Sequence, residues 1–197
     1  MGGAPFVLRE GSPADFPALA RIDGSFANDY VLELDRRGGG AEQTVELRWR
    51  RMKAAGSTRR ETAAAPGEQV EELASEWLRS DRLIVAEIDG AAAAYLMLGT
   101  NWNRTAELTL IIVDAAHRRR GLGARLVQEA ETYARERGLR ALQWEAQNDN
   151  RNAIEFALAR GFRIAGFHDA LYRNDDLARQ STPDFRGMAL FLTKALG

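Results

Sequence analysis

Val113-Asp-Ala-Ala-His-Arg-Arg-Arg-Gly-Leu-Gly-Ala124 joins a run of apolar residues to a segment with helical periodicity. The preceding residues, Glu107 to Val113, show little polar alternation, which predicts a strand buried on both faces. Leu122 to Glu136 carries apolar side chains at intervals of three and four residues, which predicts an amphipathic helix ended by Gly138. The quoted stretch is therefore a connection between a strand and the N-terminus of a helix.

This connection has the composition of an anion-binding site. A helix N-terminus presents free N–H groups and the positive end of the helix dipole. Gly121 and Gly123 let a ligand approach the backbone closely. Arg118, Arg119 and Arg120 add positive charge and forked donors. The sequence therefore predicts a phosphate or pyrophosphate ligand at this helix N-terminus.

Three phosphate-binding designs can be compared with this loop. A P-loop needs Gly-x-x-x-x-Gly-Lys-Ser/Thr, which the sequence does not contain. A dinucleotide fingerprint needs Gly-x-Gly-x-x-Gly directly after the strand, but the third glycine position is Leu126 and residues 114–120 precede the first. The third design, Arg-x-x-Gly-x-Gly, is filled by Arg118, Gly121 and Gly123. The alternative without a ligand is a solvated run of arginines before a helix.

With this motif the sequence resembles the GNAT superfamily of acyl-CoA N-acyltransferases. Asn150-Arg-Asn-Ala-Ile154 followed by Gly161-Phe162 is similar to a later signature of that family, an Asn-x-x-Ala helix leading into Gly-Phe. The resemblance covers about residues 83–195. A more specific likeness, to streptothricin-type acetyltransferases, is carried by segments such as Ile22-Asp-Gly-Ser-Phe26 and Trp144-Glu-Ala-Gln147.

The resemblance implies a fold and a set of binding residues. The expected class is α/β (α+β), a GNAT-like mixed, mostly antiparallel central sheet of about six to seven strands, with splayed central strands and flanking helices. Acetyl-CoA is the implied co-substrate, and no metal is expected. Its pantetheine would lie in the split, against the backbone of Ile111, Ile112 and Val113. The implied pyrophosphate-binding residues are Arg118, Arg119, Arg120, Gly121, Leu122, Gly123 and Ala124. Asn150 and Ala153 would face the cofactor side.

The length of 197 residues predicts one domain, 1–197, and the resemblance implies that it is a single N-acetyltransferase domain. Residues 5–82 would form its substrate-side part with inserts, and residues 83–197 its acyl-CoA-binding core. Asp89-Gly90 predicts a hairpin turn between two strands. The glycines of Arg36-Arg-Gly-Gly-Gly40 predict a loop, as does the polar stretch Ala54 to Glu61.

Composition excludes several classes of protein and site. The chain has no Cys, which rules out disulfide frameworks, zinc sites that contain Cys, iron–sulfur clusters and cysteine nucleophiles. Its 27 basic and 28 acidic residues give a net charge of -1, so nothing global favours a nucleic-acid or membrane partner. No run approaches the roughly 18–20 apolar residues of a membrane span, and no signal peptide is visible. We therefore expect a cytoplasmic protein.

Acyl transfer from a thioester to an amine needs a base for the ammonium proton. Glu107 is the first candidate, because it opens the strand that feeds the arginine loop and some members of the resembled family have a Glu base at this place. The alternative for Glu107 is a surface carboxylate at the edge of the strand. Glu145 is the second candidate for the base. Asp23 and Asp29 are weaker acidic candidates, for binding a cationic substrate.

The reaction also requires stabilisation of the carbonyl oxygen and protonation of the leaving thiolate. A backbone N–H near Ile112 or Val113 would serve as the preorganised donor to the oxygen. In the resembled family a Tyr four residues before the Gly of Gly-Phe usually protonates the thiolate, but here that position is Ala157. Either Tyr172 replaces the missing Tyr or water does, since a thiol pKa of about 8.5 makes the thiolate a tolerable leaving group.

The expected function is transfer of an acetyl group from acetyl-CoA to a primary amine of a small molecule, by direct attack on the thioester. The alternatives are acetylation of a protein N-terminus or lysine, and a non-catalytic acyl-CoA sensor, which Ala157 keeps open. Streptothricin-type enzymes carry adjacent acids where this chain has Thr109 and Leu110, which is a departure from the pattern of that group. The inserts around residues 36–66 favour a walled pocket for a small amine. A homodimer is compatible with the sequence.

Overall fold

The computed structural model describes residues 6–52, 58–60, 66–172 and 187–197. In chain order the strands are β1 (Phe6–Glu10), β2 (Phe26–Asn28), β3 (Tyr30–Gly39), β4 (Glu42–Arg51), β5 (Thr58–Arg60), β6 (Arg82–Ile88), β7 (Ala91–Thr100), β8 (Thr105–Val113), β9 (Ala141–Gln147), β10 (Arg163–His168) and β11 (Ala189–Ala195). The helices are α1 (Phe16–Leu19), α2 (Pro66–Trp77), α3 (Leu122–Glu136) and α4 (Arg151–Ala159), with 3₁₀ turns at Pro13–Asp15 and Ala115–His117.

The main sheet has seven strands in the order β1-β6-β7-β8-β9-β11-β10. Strands β1, β6, β7 and β8 pair antiparallel in turn, and β8 pairs parallel with β9. Two smaller sheets pair β2 with β5 and β3 with β4. This architecture confirms the predicted mixed, mostly antiparallel sheet with flanking helices.

The chain is organised in two compact units. The first unit comprises residues 1–25, 61–145 and 193–197, and the second comprises residues 26–60 and 146–192. Within the described residues, no helix is both long and apolar enough to span a bilayer.

One hydrophobic cluster of the first unit packs α1 and α2 against one face of β6 and β7. Its buried members are Phe16, Leu19, Ile22, Leu73, Leu83, Val85, Tyr95 and Met97. Gly99 permits the close approach of the chain after α2, because a Cβ there would lie 2.4 Å from the carbonyl oxygen of Arg79. Burial raises the pKa of Tyr95 well above its usual value, so its hydroxyl stays protonated.

Helix α3 buries the stripe that the sequence predicts. Tyr133 is fully buried in this stripe, and its hydroxyl bonds the carboxylate of Asp81 and the hydroxyl of Thr100, each at 2.9 Å. The predicted turn at Asp89-Gly90 is confirmed too: both residues have positive φ, 51° and 79°, as a tight hairpin requires.

Two predicted loops are wrong where the structure describes them. Arg36 to Gly39 continues strand β3, because Gly38 and Gly40 have φ of +88° and +61° and fold the chain into the β3–β4 hairpin. A Cβ at Gly38 would lie 2.4 Å from the carbonyl oxygen of Glu42, so only glycine fits. Residues 58–60 of the second predicted loop form β5 and pair with β2, whereas residues 53–57 and Glu61 lie outside the described residues.

Candidate functional site

Strand β8 extends beyond its pairing with β9. The parallel ladder runs from Thr105 opposite Ala141 to Leu108 opposite Trp144, while β8 continues to Val113. A bulge at Thr109 interrupts the pairing with β7 at the same level, and bulges bend a strand and increase its twist. Residues 109–113 are half-buried, so the prediction of a strand buried on both faces is wrong for its last five residues. This edge of β8 is the predicted pantetheine surface.

The connection from β8 to α3, residues Asp114–Gly121, is held by hydrogen bonds to the segment after α1. The Asp114 carboxylate accepts from the backbone N–H of Ala116 at 2.9 Å and from that of Asp23 at 3.2 Å. The backbone N–H of Ala115 donates to the carbonyl of Asp23 at 2.9 Å. Asp114 also caps the 3₁₀ turn, which is the role its residue type favours at a helix start. We call residues 114–121 the α3 loop.

Helix α3 begins without a side-chain cap. Its N-cap is Gly121, in the left-handed region with φ +89°, and the first helical bond runs from Arg125 N to the Gly121 carbonyl. The preceding N–H groups, those of Leu122, Gly123 and Ala124, therefore lack an acceptor within the helix. A Cβ built on Gly121 would meet nothing within 4 Å, so this helix end is open. It offers backbone donors and a dipole to an anion.

The three arginines of the α3 loop differ in their surroundings. Arg118 is half-buried, with Nε donating to the Val113 carbonyl at 3.1 Å and Nη2 to the Asp23 carbonyl at 3.4 Å. Arg119, with φ +63°, and Arg120 are exposed. The exposed pair leaves its charge accessible to solvent, whereas the Arg118 guanidinium is hydrogen-bonded to neighbouring backbone.

The predicted catalytic residues lie on different elements. Glu107 is half-buried on β8, opposite Gly99 on β7 and Gln143 on β9. Glu145, near the end of β9, is exposed, and Tyr172 is half-buried in the segment after β10. Glu107 thus shares the first unit with the α3 loop, while Tyr172 belongs to the second unit.

Helix α4 carries the later family signature. The side-chain oxygen of Asn150 accepts from the backbone N–H of Ala153 at 3.1 Å, so Asn150 caps this helix and its amide N–H groups remain as donors. Ala153 is half-buried in the first turn. Ala157, at the position of the family's Tyr, is fully buried.

Asn148 joins three segments of the second unit and was not predicted from the sequence. Its backbone bonds the Leu32 N–H and the Met188 carbonyl at 2.8 and 3.0 Å. Its side chain donates to the Leu32 carbonyl at 3.1 Å and accepts from the Met188 N–H at 2.9 Å. Asn148 is 3% exposed, so these bonds form away from water. This role follows from the burial of Asn148 and from its hydrogen bonds to distant segments. No spacing of residues in the sequence indicates it.

The β3–β4 hairpin forms one wall of a cavity of about 700 Å³ in the second unit. Its lining residues are Val31, Glu33, Leu34, Asp35, Arg36, Arg48, Arg50, Asn148, Asp169, Gly187 and Met188. We call this space the hairpin cavity. A bond from its own backbone N–H and the Arg36 guanidinium hold the pKa of Asp169 below its usual value, so this carboxyl is ionised at neutral pH.

The aromatic side chains of the hairpin contact α4. The Arg151 guanidinium lies 4.4 Å from the centroid of the Tyr30 ring and 5.3 Å from that of Trp49. Arg151 also pairs with Glu155 at 2.6 Å, one turn further along α4. Cation–π contacts of this kind attach the hairpin to α4 and fix one wall of the cavity.

Comparison with known proteins gives consistent matches. Residues 44–162 match the sequence model of the Acetyltransferase (GNAT) family. The chain is 30% identical over 173 residues to streptothricin acetyltransferase of Streptomyces lavendulae, covering 87% of this chain and 88% of the relative.

Two crystal structures extend these matches. One is of a nourseothricin acetyltransferase, with a TM-score of 0.75 and 27% identity, covering 98% of this chain and 99% of that one. The second is an acetyl coenzyme A complex of a Bacillus anthracis str. Ames protein assigned as a streptothricin acetyltransferase. Its TM-score is 0.74 at 22% identity, and the match covers 98% of this chain and 100% of that chain.

Proposed function

Because the chain belongs to the GNAT acetyltransferase family, we propose that it transfers an acetyl group from acetyl-CoA to a primary amine of a small molecule. The observation that carries this proposal is the open N-terminus of α3 beside the unpaired edge of β8. A helix end with free N–H groups suits the pyrophosphate, and an unpaired strand edge suits the amide groups of pantetheine.

The proposed binding residues fall into two groups. The N–H groups of Leu122, Gly123 and Ala124 would receive the pyrophosphate, with Arg119 and Arg120 adding charge from the exposed side of the α3 loop. Ile111, Ile112 and Val113 would present their backbone to pantetheine. Arg118 supports this site indirectly, because its side chain bonds the carbonyls that shape the loop.

For the reaction itself, the acceptor must first lose a proton from its ammonium group. Glu107 is the proposed base, directly or through a water, because it is a half-buried carboxylate on the strand that leads to the α3 loop. The neutral amine then attacks the thioester carbonyl, whose oxygen would be stabilised by a backbone N–H near Ile112 or Val113. Glu145 is the second candidate for the base and is the more exposed of the two.

The C–S bond then breaks, the nitrogen loses its second proton to water to give the neutral amide, and the CoA thiolate leaves. Since the family's Tyr position is the buried Ala157, no side chain donates a proton from that place. The thiolate is proposed to take its proton from water, with Tyr172 as the alternative donor.

A steady-state assay of free CoA release with a panel of primary amines tests this function. Acetyl-CoA and CoA should each raise the melting temperature, because a ligand that binds the folded state alone stabilises it. We expect CoA release that depends on both acetyl-CoA and an amine. Cofactor binding without turnover on any amine would instead favour the non-catalytic acyl-CoA sensor.

A further inference from the structure

Strand β8 contains one residue that has no opposite residue on either neighbouring strand. On the β7 side, the bulge leaves Thr109 between two paired residues, Leu108 and Leu110. On the β9 side, the parallel pairing ends at Leu108. Every other residue of β8, all of which the structure describes, lies opposite a residue of β7 or of β9. Pairing within the sheet therefore places no direct restraint on Thr109.

The side chain of Thr109 is held instead by the turn that follows α2. The hydroxyl oxygens of Thr109 and Ser80 lie 2.9 Å apart. The Ser80 hydroxyl donates its single proton to the carbonyl of Glu76, also at 2.9 Å, so Thr109 is the donor in the bond between the two hydroxyls. Both residues are half-buried.

The turn that carries Ser80 is itself held against the sheet. The backbone N–H of Asp81 donates to the carbonyl of Leu98 on β7 at 2.6 Å. Gly99, the next residue of β7, permits the close approach of this turn, because it has no Cβ to meet the backbone of the turn. A hydroxyl on a turn that is fixed in this way restrains the side chain of Thr109.

Thr109 lies between the two parts of the proposed active site. Glu107, the proposed base, precedes it by two residues on the stretch of β8 that pairs with both β7 and β9. Residues 111–113, the proposed pantetheine-binding edge, begin two residues after it, where β8 pairs with β7 alone. A change of backbone conformation at the bulge therefore alters the distance between these two parts, while each part keeps its own contacts.

We propose that Ser80 is a positioning residue for acetyl transfer. Through its hydrogen bond to Thr109 it fixes the bulge, and thereby the distance between the Glu107 carboxylate and the edge of β8 that would hold the thioester. This inference rests on the proposed function and adds to it a residue that touches neither substrate. A displacement of about 1 Å from the productive geometry can slow an enzymatic reaction by about 10²-fold. Loss of one of several restraints should have a smaller effect.

The test removes the hydrogen bond from either side. It measures kcat with the best amine of the panel, and CoA affinity by calorimetry. Ser80→Ala and Thr109→Val each delete one hydroxyl, and each should lower kcat by about 10-fold. CoA affinity should stay within about 3-fold of the wild type, because the proposed backbone donors lie beyond the bulge. Thr109→Ser keeps the hydroxyl and should retain kcat within about 2-fold.

A double variant distinguishes one shared hydrogen bond from two separate defects. If the two hydroxyls act through their common bond, Ser80→Ala combined with Thr109→Val should lower kcat by about 10-fold, as each single variant does, whereas independent effects would multiply to about 100-fold.

Thr100→Val is the matched control. It removes another hydroxyl–hydroxyl bond of 2.9 Å in the first unit, that of Thr100 with Tyr133, away from the bulge. It should change kcat by less than about 2-fold. The melting temperature of every variant is measured, and kcat is compared where all of them are folded. If Ser80→Ala does not fold, the contrast between Thr109→Val and Thr109→Ser tests the same bond.

The outcomes separate this inference from the proposed function. Normal kcat in folded Ser80→Ala and Thr109→Val would overturn the positioning role, as would multiplication of their effects in the double variant. An equal loss of kcat in Thr100→Val would also overturn it, because the effect would then not be specific to the bulge. Each of these results leaves the proposed function standing. If no amine releases CoA from the wild-type protein, the proposed function and this inference both fail.

Discussion

The N-terminus of α3 in the first unit and the hairpin cavity in the second unit present charge by different physical means. At α3 the donors are backbone N–H groups fixed by the helix, and the nearest glycine keeps the approach open. In the hairpin cavity the charged groups are side chains of the β3–β4 hairpin and of Asp169, and two ion pairs, Arg36–Asp169 and Arg50–Glu33, hold four of them. A site built from backbone groups is altered by substitutions that change the main-chain conformation. A site built from paired side chains is altered by substitutions that remove a single charge.

The largest effect is expected from replacing Glu107, the proposed general base, which lies in the first unit. Glu107→Gln should lower kcat by on the order of 10²-fold or more at neutral pH, because the glutamine amide cannot accept the ammonium proton. Affinity for CoA, measured by calorimetry, should be unchanged, since the proposed cofactor contacts come from backbone and arginines. Glu136→Gln, an exposed carboxylate at the end of α3, is the control. Normal turnover in Glu107→Gln would transfer the role to Glu145 or to solvent.

The next-largest effect is expected from Gly121→Val, which tests whether CoA binding at the α3 site depends on the backbone conformation. Gly121→Val should weaken CoA binding by more than about 30-fold, since φ +89° strains a β-branched residue and its side chain would fill the open approach. Arg119→Ala should weaken binding by less than about 5-fold, because a single exposed charge contributes little.

A matched glycine controls for the added side chain. Gly166→Val lies on β10, where the space is also open but φ is ordinary, and it should bind CoA normally. Calorimetric titration with CoA compares all three variants. The backbone description of the α3 site would be wrong if Gly121→Val bound CoA as well as Gly166→Val does.

The two regions also differ in how far the sequence predicts them. The α3 loop has a local signature, since its strand, glycines and helix follow one another within about thirty residues, and the structure reproduces Leu122–Glu136 as predicted. The Asn150 helix and the Asp89-Gly90 hairpin are local in the same sense. Patterns within a short window of sequence report local geometry well, so these elements could be predicted.

The hairpin cavity depends on contacts between distant parts of the chain. Asn148 meets Leu32 and Met188, which are 116 and 40 residues away, and no periodicity encodes such bonds. The glycines at 38–40 suggested a loop because the ten-residue pairing of β3 with β4 was not visible locally. The bond of the Arg118 guanidinium to the Asp23 carbonyl likewise depends on where the segment after α1 lies.

Asn148 provides a stability test confined to the second unit. Asn148→Ala removes the side-chain partner of the Leu32 carbonyl and of the Met188 N–H, both in a buried setting. We expect a loss of about 2 kcal/mol in the free energy of unfolding. For a chain of this size that corresponds to roughly 4–8 °C in melting temperature.

The same variant separates the two sites. CoA affinity of Asn148→Ala should stay within about 2-fold of the wild type at a temperature where the protein is folded, because the proposed backbone donors to CoA, along β8 and at the N-terminus of α3, belong to the first unit. Asn152→Ala, exposed on α4, is the control for an asparagine loss. A parallel loss of CoA affinity in Asn148→Ala alone would contradict the separation of the two sites.

The smallest effect is expected from Tyr172→Phe. This variant tests whether Tyr172, in the second unit, donates the proton to the thiolate. A Tyr acid with a pKa near 10 must be protonated to donate, so the rate would fall as pH rises through that value. If Tyr172 is the donor, Tyr172→Phe should cost roughly 10²-fold in kcat and remove that alkaline limb. If water protonates the thiolate, turnover should stay near normal and the pH profile should be unchanged.

We expect the second result, because a leaving group whose conjugate acid has a pKa of about 8.5 departs without a dedicated acid. The family's donor position is occupied by the fully buried Ala157, which is consistent with a reaction that does without that donor. The measurement is kcat between pH 7 and about 11 for wild type and Tyr172→Phe, with melting temperature and acetyl-CoA binding confirming the fold. A folded Tyr172→Phe that binds acetyl-CoA yet loses most of its turnover would assign the thiolate proton to the second unit.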